Sequence, residues 1–245
     1  MNNVQSLGNP QSPGNPQSPG NPQSPGNPQR PAPSAILTAN PVVAVMRAHH
    51  AREYAPVIEA LVRGSVRSIE LTLSTQGVFE ELPLLRERFG TDAEIGVGTI
   101  TTVDQARQAL DGGADYLVTP AMVTAVVSAA VERGIPVFPG GLTPTELLAG
   151  WDAGATAVKL FPASTVGPGY IGQLRGPFPE MRMVPSGGIG IDDAPAWIAA
   201  GALAVSLGGP LLRDAFSGGN LNELTARAEK LSRLVSDAVE AREAK

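Results

Sequence analysis

Short apolar runs alternate with amphipathic segments along the chain from Pro41 onward. The runs recur about every 20 to 25 residues, and their length and β-branched content are typical of strands. Segments between them, such as Ala51–Arg63 and Thr102–Leu110, carry apolar residues at helical spacing. The eight predicted strands are Val42–Met46, Ser68–Leu73, Ile95–Val97, Tyr116–Val118, Val137–Phe138, Ala157–Phe161, Met183–Val184 and Leu203–Leu207.

Three of the helical segments end in similar phrases, "DGGADYLV", "DAGATAVKL" and "AAGALAVSL". Each phrase predicts a helix end, a glycine cap and a buried strand. Strands rich in Val, Ile and Leu that alternate with helices are typical of a parallel sheet covered on its outside. The count of eight favours an α/β (β/α)8 TIM barrel over an open sheet. The segment Leu221–Lys245 is predicted to be a closing C-terminal helix.

The first 35 residues have a different character, because they repeat the hexapeptide SPGNPQ with little to bury. Such a segment cannot offset its ordering entropy, so residues 1–35 are predicted to be a disordered tail. Residues 36–245 are predicted to form the barrel domain.

The composition indicates which kinds of binding partner the protein is not expected to have. The net charge is −5 and no run rich in Lys and Arg exists, so we expect no nucleic-acid partner. The chain has no cysteine, which excludes disulfides, thiolate metal sites and cysteine nucleophiles. No apolar run approaches the roughly 18 residues of a membrane span, and no signal-peptide pattern is present. A cytoplasmic protein without a membrane partner is expected.

Lysine is rare in this chain, and its placement is informative. There are three lysines, and Lys230 and Lys245 both lie in the last sixteen residues. Lys159 alone falls inside a predicted apolar strand. Burial disfavours an ammonium, and a neutral amine is a nucleophile towards carbonyl groups. Glu70, on the second predicted strand, is a carboxylate that can move protons for it. A buried pair that only fixes packing is the alternative interpretation.

Further polar groups fall where predicted strands end, which is where barrels carry their active sites. The seventh and eighth strands are followed by glycine pairs, whose backbone N–H groups suit phosphate, although each pair can equally be a tight turn. Arg47 can contact an anion there. The residues at these strand ends are Arg47, Thr72, Thr99, Pro120, Ser186, Gly187, Gly188, Gly208 and Gly209.

Metal catalysis and serine hydrolysis both fit this sequence poorly. The two histidines, His49 and His50, are adjacent and do not converge on one ion, so no metal and no cofactor are expected. A serine-hydrolase elbow is absent. The residues therefore predict a small carbonyl substrate held as an imine on Lys159, with a phosphate at its far end and a carbon–carbon bond as the reacting bond.

The motifs "IELTL", "GVGTI", "TPTEL", "VKLFPAS", "GPFPEMRMVPSGGI" and "AVSLGG" resemble the KDPG/KHG aldolase family. The resemblance covers roughly Pro41 to Phe216. It implies a Schiff-base barrel enzyme that cleaves 2-keto-3-deoxy-6-phosphogluconate, a phosphorylated sugar acid, to pyruvate and glyceraldehyde 3-phosphate. It also implies a homotrimer.

The resemblance assigns roles to individual residues. It implies that Lys159 forms the imine within a K-x-F-P segment that includes Phe161, and that Glu70 shuttles protons. Thr99, with Thr72 beside it, would hold the pyruvate carboxylate, and Pro120 would pack on the substrate. The residues implied to bind phosphate are Gly187, Gly188, Gly208 and Gly209.

The chain departs from the family pattern at one position, and this departure affects which substrate is expected. Well-studied members of the family carry an arginine where this chain has Ser74, and Arg47 is a candidate replacement for that charge. Ser186 favours the gluconate substrate, whereas the stretch "GPGYI" resembles enzymes for the galactonate epimer. Three alternatives therefore stay open: an aldolase for 2-keto-3-deoxy-6-phosphogalactonate, an aldolase for 4-hydroxy-2-oxoglutarate, and a trimeric barrel scaffold without turnover.

Overall fold

The computed structural model describes residues 30–244 of the chain. The predicted disorder of residues 1–29 falls outside the described residues. The strands are β1 Val42–Met46, β2 Ser68–Thr72, β3 Glu94–Gly98, β4 Leu117–Val118, β5 Val137–Phe138, β6 Gly140–Gly141, β7 Val158–Leu160, β8 Met183–Pro185 and β9 Val205–Leu207. The helices are α1 Ala35–Ala39, α2 Tyr54–Arg63, α3 Val78–Phe89, α4 Val103–Asp111, α5 Thr124–Glu132, α6 Pro144–Asp152, α7 Gly169–Arg175, α8 Ala194–Ala199, α9 Gly209–Leu212 and α10 Leu221–Glu243. Single 3₁₀ turns lie at Ala51–Glu53 and Ala163–Thr165.

The strands pair in parallel and close into a barrel. Six of them lie in the order β5-β4-β3-β2-β1-β9, and three lie in the order β6-β7-β8. Strands β5 and β6 are two halves of one barrel strand, because Pro139 lacks the N–H that a continuous ladder requires. A parallel bridge between Ser186 and Ser206 joins β8 to β9. The predicted eight-stranded α/β barrel is confirmed, with its fifth strand split at the proline.

Local signals in the sequence explain where the helices begin and end. Thr102 and Thr143 each accept the N–H of the residue three positions later and complete capping boxes for α4 and α6. The glycine caps predicted after three helices are Gly113, Gly154 and Gly201, at φ of 87°, 96° and 101°. Residues with a Cβ adopt this left-handed conformation only at a cost, so glycine directs the chain from each helix into the next strand.

Two layers of apolar side chains hold the barrel together. Odd-numbered residues of β3, Ile95 and Val97, pack outward against the helices. A smaller cluster fills the inside of the barrel and comprises Leu37, Val43, Tyr116, Val118, Phe138, Ala157, Val184 and Ala204. Leu37 reaches this cluster from the short helix α1, which precedes the first strand. Helix α1 therefore closes the amino-terminal end of the barrel and leaves the carboxyl-terminal end open.

The junction between tail and barrel shows features that the pattern did not predict. Helix α1 starts with the Ser34 hydroxyl accepting the N–H of Leu37 at 2.9 Å. Before it, the Arg30 guanidinium lies 3.5 Å from the ring centre of Trp151 and donates to the carbonyl of Ala155. The sequence pattern assigns residues 30–35 to the tail, but Arg30 already contacts the barrel. The domain boundary at residue 35 stays a prediction.

Within residues 30–244, no helix combines the length and the apolarity that crossing a membrane would require.

Candidate active site

Lys159 and Glu70 meet inside the barrel at its open end. The Lys159 Nζ lies 3.6 Å from the Glu70 Oε1, and the two side chains are only 10% and 2% exposed. Lys159 belongs to β7 and Glu70 to β2, so the contact spans the barrel interior. A carboxylate at this distance can exchange a proton with a substrate atom bound at the amine after a small rotation. The pair predicted from the sequence is therefore brought together.

Strand β3 leaves the space that the Glu70 carboxylate occupies. A Cβ placed on Gly98 would lie 2.0 Å from Glu70 Oε1, and a Cβ on Gly96 would lie 2.3 Å from the ring of Tyr116. Both glycines face the barrel interior, because Ile95 and Val97 between and beside them face outward. The "GVG" of the sequence thus has a steric function that its motif resemblance alone did not reveal.

The Tyr116 ring lies in the interior cluster beside this pair. Burial, followed by the nearby carboxylates of Glu94 and Glu70, holds the pKa of the Tyr116 phenol well above its ordinary value. Its hydroxyl lies 3.3 Å from the Ser68 Oγ. Tyr116, Leu37, Lys159 and Glu70 line a void of only about 10 Å³, the size of about one water molecule. The site is therefore closed from below.

Above the pair lies a cavity of about 740 Å³ that opens to solvent. Every site residue predicted from the sequence lines it. They are Arg47, Glu70, Thr72, Thr99, Pro120, Lys159, Phe161, Ser186, Gly187, Gly188, Gly208 and Gly209. The structure thus brings all of them to one place, although their individual roles remain predictions.

The first glycine turn, Gly187–Gly188, has a left-handed backbone. Gly187 and Gly188 have φ of 88° and 72°, where other residues are strained. A Cβ on Gly187 would also lie 2.9 Å from the Phe161 ring. Phe161 precedes a cis peptide bond to Pro162. The Ser186 Oγ lies 3.3 Å from the Ser206 Oγ, so the two serines link the strands from which the turns leave.

Thr99 adopts an uncommon backbone conformation at the cavity wall. Its φ is 63°, a value that a β-branched residue rarely takes. Such strain persists where the surroundings demand it, and functional sites are a common place for it. Thr99 follows β3 directly, so its backbone turns into the cavity at the point where Gly98 makes room for Glu70.

Three cavity residues have features that the sequence did not reveal. Arg213, with φ of 49°, follows the second glycine turn and lines the cavity. His49 lines the same cavity and is exposed. Ser74 accepts a hydrogen bond from the Arg47 Nε at 3.0 Å. Arginine after a glycine turn was a signal for Arg213, whereas the Arg47–Ser74 contact depends on how two loops meet.

Comparison with known proteins agrees with this geometry. A sequence profile described as "Aldolase: KDPG and KHG aldolase" matches residues 34–226. A 2-dehydro-3-deoxy-phosphogluconate aldolase of Dickeya dadantii (strain 3937) is 34% identical over 198 residues, which is 80% of this chain and 92% of the relative. A 2-dehydro-3-deoxy-6-phosphogalactonate aldolase of Escherichia coli (strain K12) is 30% identical over 72% of this chain and 86% of its own length.

A solved structure shares the fold along nearly its whole length. The KDPG aldolase of Legionella pneumophila, with pyruvate captured at low pH as a covalent carbinolamine intermediate, superposes with a TM-score of 0.74. It is 27% identical and covers 81% of this chain and 97% of its own. Fold and relatives together place the protein among the aldolases, which are lyases. The chain belongs to the KDPG and KHG aldolase family.

Proposed function

We propose that the protein cleaves 2-keto-3-deoxy-6-phosphogluconate to pyruvate and glyceraldehyde 3-phosphate through a Schiff base on Lys159. The observation that carries this proposal is the Lys159–Glu70 pair, 3.6 Å apart at the floor of an open cavity. A neutral amine there can attack a carbonyl that enters from above. The related Legionella enzyme, captured with pyruvate as a carbinolamine, supports the same covalent chemistry.

The reaction follows from this placement. The Lys159 amine adds to the C2 carbonyl, and the carbinolamine loses water to form an iminium. Removal of the proton from the C4 hydroxyl breaks the C3–C4 bond, and its electron pair moves into the iminium to form an enamine. The aldehyde leaves, C3 takes up a proton, and water releases pyruvate and the free amine. Glu70 is the group placed to carry these protons.

The charge of the cavity fits a substrate with anionic groups at both ends. Its lining includes the cations Arg47, Lys159 and Arg213, and Glu70 is its one acidic member among the described residues. The glycine turns add backbone N–H groups near the mouth. Of the resemblance-based roles, we propose that Thr99, Thr72 and Pro120 bind the pyruvate half. The turns Gly187–Gly188 and Gly208–Gly209 would bind the phosphate.

A second substrate has its own support. The Escherichia coli relative acts, by its name, on the galactonate epimer. The Ser186 hydroxyl is buried beside Ser206 and precedes the first glycine turn. By the family resemblance, a hydroxyl residue at this position favours the gluconate epimer. A scaffold without turnover is disfavoured, because a buried ion pair costs stability that function would have to justify.

The test is a comparison of kcat/KM for release of pyruvate from 2-keto-3-deoxy-6-phosphogluconate, its galactonate epimer and 4-hydroxy-2-oxoglutarate. We expect the gluconate substrate to be cleaved with the highest kcat/KM. A higher value for another substrate would reassign the specificity and keep the Schiff-base chemistry. No release of pyruvate from any of the three would overturn the proposed function.

We also propose that the protein is a homotrimer in the cytoplasm, as the family resemblance implies. Light scattering coupled to size-exclusion chromatography should give a mass near three times that of the 25.3 kDa chain. A monomer mass across micromolar concentrations would contradict the trimer.

A further inference from the structure

Arg213 is a cation on the wall of the cavity, shortly after the second glycine turn. Strand β9 ends at Leu207, the turn Gly208–Gly209 follows, and the short helix α9 leads the chain to Arg213. The Arg213 side chain lines the cavity and is exposed. Among the residues that the structure describes, it forms no ion pair. A guanidinium without a carboxylate partner in this part of the chain is available to an anion that enters the cavity.

The backbone of Arg213 adopts a conformation that suits glycine. Its φ is 49° and its ψ is −115°, which lies outside the small left-handed region that residues with a Cβ can enter. Such a conformation persists only where the surrounding structure imposes it. A glycine would fit here without strain. The arginine is therefore present at a cost in stability, as is expected of a side chain that has a function.

Helix α10 holds the turn from which the Arg213 side chain enters the cavity. Arg227 of α10 donates from Nε to the Leu211 carbonyl at 2.8 Å and from Nη2 to the Leu212 carbonyl at 3.3 Å. The Arg213 N–H donates to the Gly209 carbonyl at 2.8 Å. The Arg227 side chain is only 12% exposed. Arg227 thus ties the last residues of α9 to α10 and fixes the point at which the chain turns.

The neighbours of each cavity cation indicate which end of the substrate it meets. Lys159, the proposed imine-forming residue, is nearly buried at the floor of the cavity. Arg47 is bonded to Ser74, whose hydroxyl contacts Thr72, a residue proposed to bind the pyruvate half. Arg213 instead follows the turn that is proposed to bind the phosphate. It is therefore the described cation of the cavity that is placed for the far end.

We propose that Arg213 is a specificity-determining residue, whose guanidinium binds the terminal phosphate of the substrate, and that Arg227 is the residue that positions it. A guanidinium donates two parallel hydrogen bonds to a phosphate, which carries close to two negative charges at neutral pH. The contact separates phosphorylated substrates from 4-hydroxy-2-oxoglutarate, which is one carbon shorter and has no phosphate. The inference rests on the proposed function and adds to it how the far end is recognised.

The first test compares two substrates in Arg213 variants. Arg213→Ala should lower kcat/KM for 2-keto-3-deoxy-6-phosphogluconate about 10- to 100-fold, the effect of losing charge-assisted hydrogen bonds. The kcat/KM for 4-hydroxy-2-oxoglutarate should stay within about threefold, whereas a merely structural role would lower both. Arg213→Lys keeps the charge without the paired donors and should give an intermediate loss. Arg233→Ala, which changes an exposed arginine of α10 outside the cavity, is the matched control.

The second test separates the side chain of Arg213 from its backbone. Arg213→Gly and Arg213→Ala both lack the guanidinium and should lose kcat/KM for the phosphorylated substrate equally. Arg213→Gly should unfold at a higher urea concentration than Arg213→Ala, because glycine has no Cβ to strain. Arg227→Ala should lower kcat/KM for the same substrate about 3- to 10-fold. It should add nothing in the Arg213→Ala background, because Arg227 acts through Arg213.

The third test measures phosphate binding and needs no turnover. Titration calorimetry with inorganic phosphate at constant ionic strength should show at least about tenfold weaker binding to Arg213→Ala than to the wild type and Arg233→Ala. Trapping of pyruvate on Lys159 with borohydride, which needs no far-end contact, should proceed at the wild-type rate in every Arg213 variant.

Three results would overturn the proposal. The first is an unchanged ratio of the two kcat/KM values in Arg213→Ala. The second is inorganic phosphate that binds the wild type no more tightly than Arg213→Ala. The third is an Arg213→Gly variant that is no more stable than Arg213→Ala. Failure of the wild type to cleave any of the three substrates would instead sink the proposed function, and the phosphate titration would still decide whether Arg213 binds phosphate.

Discussion

Two glutamates on neighbouring strands face the inside of the barrel, and their surroundings differ. Glu70 pairs with Gly96 of β3 in the strand register, and Glu94 lies two residues closer to the amino-terminal end. Glu70 has Lys159 at 3.6 Å and borders the open cavity. Glu94 is 6% exposed, and its Oε1 has no hydrogen-bond partner among the described residues.

The pKa of Glu94 is raised, chiefly by its burial. The nearby cation, Arg86, is bound to Asp115 instead. The comparison shows that burial of a carboxylate does not by itself identify an active site. A lysine partner and an open cavity distinguish the end with Glu70 from the end with Glu94.

The largest effect should come from removing the partner. Lys159→Ala should lower kcat/KM on the order of 10⁴-fold or more, because Lys159 is the only lysine among the described residues that line the cavity. Glu70→Gln should lower kcat about 10²- to 10⁴-fold, the usual contribution of a general acid–base group. Steady-state release of pyruvate measures both. Lys230→Ala is the matched control, since Lys230 is exposed and pairs with Asp192 on the surface. Activity of Lys159→Ala near the control level would remove the distinction between the two glutamates.

The next effect concerns the space around Glu70. Gly98→Ala would place a Cβ where the Glu70 carboxylate lies and should lower kcat by about 10²-fold, as misplacement of a catalytic group by roughly an ångström does. Gly172→Ala, in α7, meets no atom within 4 Å and should leave kcat unchanged. Equal kcat values for the two alanine variants would show that Gly98 does not position Glu70.

At the closed end, the effect should be on stability. Leu37→Ala removes the side chain with which α1 fills the barrel and should lower the free energy of unfolding by about 2–4 kcal/mol. Ile36→Ala, in the same helix but only half-buried, should cost less. Deletion of residues 1–29, which keeps α1, should leave both stability and activity unchanged. Urea unfolding measures the stability of all three variants, and release of pyruvate measures the activity of the deletion variant. Equal losses of stability for Leu37→Ala and Ile36→Ala would mean that α1 does not close the barrel.

The smallest effect should come from Glu94. A carboxyl group with a raised pKa in the folded state holds its proton more tightly than in the unfolded chain, so wild-type stability falls as pH rises above the ordinary carboxyl range. Glu94→Gln does not titrate and should stabilise the protein by about 1 kcal/mol at neutral pH. The gain should vanish below about pH 4, where glutamate is neutral in both states. Thermal unfolding at both pH values measures it, and a loss of stability at neutral pH would show that the Glu94 charge is satisfied.

The barrel and the contact between Lys159 and Glu70 could be predicted from the sequence for identifiable reasons. Strand and helix periods alternate clearly, and Lys159 stands out because the chain has no other lysine before residue 230. The sequence did not reveal α1, since five residues between a repeat and a strand carry too short a pattern. The split at Pro139 was likewise hidden, because one proline between apolar residues does not show how two half-strands pair.

Contacts between loops were the least predictable part of the site. That Arg47 reaches Ser74 depends on the register of β1 with β2, in which Met46 lies beside Leu71. The roles of Gly96 and Gly98 likewise depend on which side chains lie over them, Tyr116 just before β4 and Glu70 of β2. One-dimensional patterns assign residues to strands and faces, but they do not assign side-chain neighbours across strands.

The most direct test of the account is reduction with borohydride in the presence of pyruvate, followed by mass spectrometry of proteolytic peptides. With three lysines in the chain, the adduct can be assigned to one of them without ambiguity. The account predicts a reduced pyruvate adduct on Lys159 and none in Lys159→Ala. An unmodified Lys159, or an adduct that persists in Lys159→Ala, would contradict it.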